Sequence, residues 1–299
     1  MYWFRGDNPL AILPWILAAL LWFTGGWLLA SHAFRLERRE RMPVGFGLGV
    51  IAYLFFDNIL GRWLAPDLTY SLSALLVLLV GLIAVWRDGE KPFFDRSDLA
   101  AWPQFLVMGV LAVLFVMVGR GLAIFDDRKN LSIISLMAAG DIPPHFYMNS
   151  TDYFAYHYGS QLLGSSLMRI GNMFPWSAFD LEKAIWWGYG IILSALLGMR
   201  LIKRRLAGVI TAFILVFAST TRYLLLLFPA KFLSGLNQVV TLQGTSAAGG
   251  EPFSEALRTG WVTAGGPPTP YPFAFLNGFG SNYVLAHAGT VTLSIVIFI

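Results

Sequence analysis

Between Asp126 and Ile170, carboxylates, histidines, tyrosines and small polar residues accumulate inside a chain that is otherwise mostly hydrocarbon. Side chains of these types exchange protons, hold ions and hydrogen-bond polar ligands, so chemistry is expected here first. Asp126, Asp127 and Arg128 stand just after an apolar run that ends at Arg120, where a membrane helix would leave the bilayer. Asp141 lies in the turn AGDIPP, whose prolines stop a helix from continuing. After Asp152, residues His157, Gln161, Ser165 and Arg169 recur at every fourth position, while Leu162, Leu163, Leu167 and Ile170 point elsewhere. This pattern predicts a helix over 153–170 lying at an interface, with one wet face and one greasy face. Farther along, Arg222 sits inside an apolar run, where it has to snorkel, face a cavity or meet an anion.

Each of these residues also has a plainer reading. Asp126 and Asp127 could cap the helix that begins near Leu131. His157 could be satisfied by water, and Tyr153, Tyr156 and Tyr158 could belong to the aromatic belt at headgroup level. Asp57, near the far end of an apolar run, reads as an interface carboxylate beside Arg62 in preference to a buried functional acid. The histidines, His32, His145, His157 and His287, lack the close spacing of a zinc site. His287, in the last apolar run, could ligate a haem or chlorophyll magnesium from a membrane helix. No Walker loop, Rossmann glycine pattern or Ser-His-Asp arrangement can be picked out.

The elements that must position these groups are membrane helices. Of 299 residues, 57% are hydrophobic and only 13% charged, and the mean hydropathy is +0.63, which places the chain among all-α polytopic membrane proteins. The net charge of +4 does not point to nucleic acid, because the basic residues cluster at the ends of apolar runs, where headgroups and topology select them. Without cysteine there is neither a disulfide nor thiolate chemistry. Only Arg5 precedes the first apolar run and no small-residue cleavage site follows it, so that run is expected to remain as an anchor.

About seven spans are expected: Leu10 to Ser31, Val44 to Leu60, Thr69 to Trp86, Trp102 to Val118, Lys183 to Met199, Leu206 to Phe228 and Tyr283 to Ile299. Gly45, Gly47 and Gly49 in the second favour close helix contact. The segments RLERRER, 87–98 and RLIKRR hold 11 basic residues in 25 positions, and placing all three inside puts the N-terminus outside. Were 153–171 to span, RLIKRR would fall outside; the charge bias therefore favours two interfacial helices, 131–139 and 153–170, in one long outer loop. Four regions result: membrane helices in 1–119, outer helices and two membrane helices in 120–228, a Gly/Pro/Ser/Thr-rich outer loop in 229–282, and a last helix in 283–299. That last run stops without a polar tail, so either it ends in the bilayer or the chain belongs to a longer product.

The segment from Asp126 through RLIKRR, with GDIPPHFYMNSTDYFAYHYGSQLLGSSLMRIGNMFP within it, resembles the GT-C superfamily of polytopic membrane glycosyltransferases, in its bacterial members that use lipid-phosphate sugars. The resemblance covers roughly a quarter of the chain. It implies a GT-C-like core, an acid just beyond a membrane helix at the position of Asp126 and Asp127, and two juxtamembrane helices after it. By the same resemblance, Asp127 or Asp126 would deprotonate an acceptor hydroxyl or help hold a divalent cation. Arg128 or Arg222 would neutralise the leaving phosphate, while Asp141, Tyr153, His157 and Gln161 would line the substrate site. The implied activity is inverting transfer of a sugar from a polyprenyl-phosphate donor, at the outer face of a bacterial inner membrane.

Three helices ahead of the core entry, serines at 132 and 135 where the family has a histidine, and the short set of core helices are departures from the family pattern. They motivate an alternative: a non-catalytic membrane subunit that binds lipid, pigment or neighbouring proteins in a larger complex.

Overall fold

In hydrocarbon a backbone must satisfy its own hydrogen bonds, so long apolar runs become helices and their ends fall where proline or charge intervenes. The computed structural model describes residues 3–5, 8–89, 101–121, 127–154 and 158–217, with two short paired strands at 261–262 and 268–269. A short 3-10 turn, Pro9–Ile12, leads into α1 (Leu13–Ala33), followed by α2 (Arg38–Leu60), α3 (Pro66–Asp88) and α4 (Trp102–Gly121). A shorter helix, α5 (Asp127–Ala139), then meets an antiparallel hairpin of β1 (His145–Phe146) and β2 (Asn149–Tyr153). The described run closes with α6 (Gly159–Arg169), α7 (Pro175–Ile202) and α8 (Arg205–Phe217).

Among the described residues, four helices are long and apolar enough to cross a membrane: Pro9–Ala33, Arg38–Leu60, Pro66–Asp88 and Pro175–Ile202. The chain is a mostly helical membrane protein. Trp102–Met117 and Arg205–Leu215 are shorter apolar stretches at two further expected spans. The expected span at 283–299 and the outer loop at 229–282 lie outside the described residues, apart from the two short strands.

The two ends of the bundle are chemically distinct. At one end Glu40, buried at the start of α2, accepts from Arg200 at the end of α7 (3.2 Å), and His32 at the end of α1 meets Asp88 at the end of α3 (2.8 Å). Those contacts gather RLERRER, the start of 87–98 and RLIKRR on one side, as the charge pattern requires. At the opposite end, Arg169 grips Asp67 with two hydrogen bonds (2.8 and 2.6 Å), and Tyr158 donates to Asn58 (2.8 Å). Residues 3–5 are clipped there: Arg5 N–H donates to the Asn172 carbonyl (2.8 Å), and Phe174 N–H to the Trp3 carbonyl (3.1 Å).

Helices α1, α2 and α3 approach through glycine. A Cβ on Gly26 would drive into the backbone of Gly45 and Gly49, and one on Gly45 would stand 2.6 Å from the Trp27 Cα. Without side chains at the crossing, the helices gain close van der Waals contact that lipid cannot match. The glycine spacing anticipated this contact in α2.

Two expectations need correction. The helix placed at 153–170 begins only at Gly159, Tyr153 belongs to a strand, and residues 160–168 of α6 are all buried. Its polar face meets protein instead of water, so the amphipathic period had the right shape and the wrong solvent. At 11 residues, about 16 Å, α6 is too short to span. The seventh helix also begins eight residues ahead of the expected Lys183, with Pro175 in its first turn. Asp180, Glu182 and Lys183, around the expected start of that helix, are buried inside the protein.

Candidate functional site

Around α6, polar groups from five elements interlock. Gln161 is buried and donates to Asn130 on α5 (3.1 Å), while its carbonyl accepts from Ser160 (3.0 Å). Ser165 shares a 2.7 Å hydrogen bond with Tyr70 of α3, whose hydroxyl also lies 3.2 Å from the Met137 carbonyl of α5. Ser166 accepts from the Trp15 indole of α1 (3.0 Å). At the other pole of the helix Gly164 packs against α7, where an added Cβ would stand 2.5 Å from a Glu182 carboxylate oxygen. Buried polar groups have to be paired, and this seam supplies the partners from its own helices.

Two carboxylates in the seam are not hydrogen-bonded. Asp57 on α2 and Glu182 on α7 are both fully buried, and neither oxygen of either one has a partner. Glu182 lies against Gly164 of α6, and Asp57 lies on α2, which packs against α3 and α6. Lys183, beside Glu182, points its ammonium toward Asp180 (3.5 Å) and over the Phe179 ring (4.3 Å). The reading of Asp57 as an interface carboxylate beside Arg62 is overturned: Arg62 instead donates to the Asn58 carbonyl (3.4 Å).

At the hairpin end lie several residues expected to bind substrate. Asp141 accepts from the His145 backbone N–H (2.7 Å) and pairs with the His145 ring at Nδ1 (2.6 Å). His145 in turn stacks on Tyr153, ring centres 4.4 Å apart. Asp141 and Tyr153 are therefore brought together through a histidine that was not singled out for this site. Half-burial pushes the Tyr158 phenol up, against the opposing pull of the Arg62 charge, and the Asp67 carboxylate raises the Arg169 guanidinium above its ordinary value.

Asp127 and Arg128 open the first turn of α5, the position at which a carboxylate favours the positive end of a helix; their side chains lie outside the described set. Asp126, His157, Arg222 and His287 also lie outside the described residues. Gln161, expected in the substrate site, is buried in the seam and hydrogen-bonded to Asn130 and Ser160. Among the described residues no three His, Cys, Asp or Glu side chains stand together in a way that could hold a metal ion.

An apolar groove of about 280 Å³ runs between α1, α2, α4, α6 and α7, lined by Trp15, Leu20, Phe105, Met108, Leu163 and Ile185 among others. Its wall is hydrocarbon and aromatic, suited to an alkyl or isoprenoid chain. Comparison with protein-family models, curated proteins and solved structures returns no match.

Proposed function

We propose that this chain is a GT-C-like membrane protein that takes a polyprenyl-phosphate sugar as donor and transfers the sugar at the hairpin end of the bundle. The observation that carries the reading is the order of elements: an apolar helix, a short helix headed by Asp127, a hairpin, a buried short helix and then a long membrane helix. The GT-C resemblance implies the same succession of acid, two juxtamembrane helices and span. The apolar groove adds room for part of a lipid tail.

In this reading Asp127, with Asp126 beside it, takes the proton of an acceptor hydroxyl as the sugar carbon gains oxocarbenium character, or helps hold a divalent cation. Arg128 and Arg222 offset the charge of the departing phosphate. The hairpin end faces the outside of a bacterial inner membrane, with Arg38 and Arg204 inside. Single-site labelling from each face checks the orientation, and Asp127 labelled from the same side as Arg204 would reject it.

A second reading, a non-catalytic subunit that binds lipid, pigment or neighbouring proteins, rests on the internal satisfaction of the expected ligand-binding groups. Asp141 is taken up by His145, Gln161 by Asn130 and Ser160. Purified full-length protein assayed with a panel of lipid-phosphate sugars separates the two. Transfer that falls about 100-fold or more in Asp127→Asn, with insertion and donor binding intact, supports catalysis. Normal turnover in both Asp127→Asn and Asp126→Asn sinks the site assignment, and no product from wild type with any donor favours the subunit.

A further inference from the structure

Asp57 has no exposed surface and neither of its carboxylate oxygens is hydrogen-bonded. Two other oxygens near it share that condition: the Tyr53 hydroxyl, one turn earlier on α2, and the Ser73 hydroxyl on α3, both in fully buried residues and both without a partner. Ser73 interacts with the Asp57 carboxylate, Tyr53 and Tyr70 feel its charge, and Ser166 of α6 interacts with the Tyr53 hydroxyl without a hydrogen bond of good geometry.

The remaining groups that face this point are spoken for or uncharged. From α3 and α6, Tyr70 and Ser165 hold each other; from α1, Trp15 holds Ser166 and Trp22 stacks on the Tyr53 ring. Asp67 and Arg169 close on one another in a two-pronged pair, and Arg62 turns to a backbone carbonyl. No described lysine or arginine pairs with Asp57. An ionised carboxylate left alone in such surroundings is strongly disfavoured, so a positive charge has to come from a bound species.

We infer that Asp57, with the Tyr53 and Ser73 hydroxyls, forms a binding site for one small monovalent cation, a proton or an alkali ion, between α2 and α3. The donors are all oxygen, which suits a hard cation, and the single carboxylate matches a single charge. A divalent ion would leave the site with a net charge that nothing around it offsets. The site includes none of the residues assigned to sugar transfer and requires nothing from that reaction, so either assignment can fail without the other.

Infrared spectroscopy of the full chain in detergent, with carbon-13-labelled aspartate, tests the inference. In sodium-free buffer the wild type is expected to keep an aspartic-acid carbonyl band at a neutral pH where exposed aspartates are ionised, and Asp57→Asn is expected to lose it. Persistence of the band in sodium chloride identifies the ligand as a proton. Its disappearance on adding sodium, together with a rise in melting temperature absent from Asp57→Asn, identifies an alkali ion. Wild type with no acid band in sodium-free buffer and no response to sodium overturns the site, as does an acid band retained in full by Asp57→Asn. Should that variant fail to fold, the isotope-labelled wild type decides by the same two readouts.

Discussion

The α1–α3 bundle and the layer built from α5, the hairpin and α6 both exclude solvent, yet they do so by different chemistry. In the bundle, Gly25, Gly26, Gly45, Gly49 and Gly81 let backbones touch, and contact between hydrocarbon surfaces supplies the cohesion. In the α5–α6 layer the contacts are serine, glutamine, asparagine and tyrosine hydrogen bonds, each of which commits a particular pair of helices to a particular register. Packing of the first kind tolerates no added volume, whereas packing of the second kind tolerates no missing partner. The two regions should therefore break under opposite kinds of substitution.

The largest effect is expected from adding volume to the bundle. Gly26→Leu forces α1 away from α2 and should cost about 3 kcal/mol or more, with loss of monodisperse protein in size-exclusion chromatography. A folded, wild-type-like melting curve would show that the helices have slack the close approach denies. In the polar layer Tyr70→Phe keeps volume nearly constant and strips a hydroxyl from Ser165 and the Met137 carbonyl. A loss of about 1–3 kcal/mol is expected from denaturant titration in mixed micelles; no measurable loss would mean that water reaches this layer.

A double-mutant cycle between Gln161→Leu and Asn130→Leu sharpens the contrast. Coupling of about 1 kcal/mol is expected from this hydrogen bond, and near-zero coupling would show that it contributes nothing to the register of α5 and α6. The smallest effect belongs to the rim of the same layer. Asp67 and Arg169 make a two-pronged pair at an exposed edge, and Arg169→Ala should cost less than about 1 kcal/mol, with a difference that shrinks in high salt. A salt-insensitive loss several times larger would place this edge among the buried ties.

The long spans α1, α2 and α3 were legible because a run of hydrocarbon bounded by proline or charge has few alternatives in a membrane protein. That the start of α2 and the end of α7 meet at one end was legible from the positions of the arginines for the same reason. The surroundings of α6 were not. A four-residue polar period states that one face of a helix meets something polar; it does not distinguish water from Tyr70, Asn130 and Trp15, which come from distant stretches of chain. Of the site itself, the tie between Asp141 and His145 lay in reach of a local reading, four residues apart across a proline turn.

The clip that holds residues 3–5 against 172–174 has a consequence in time. Its two sides are 167 residues apart in the chain, so residues 3–5 wait for the linker between α6 and α7 before they find their partners. At ordinary synthesis rates of about 5–20 residues per second that wait is roughly 8–30 s. During it, α1 and α2 can already meet through their glycines, while the hairpin end of the bundle stays open. Closure of that end is therefore a late event in biogenesis, and a chain stalled before residue 172 would present it unlatched.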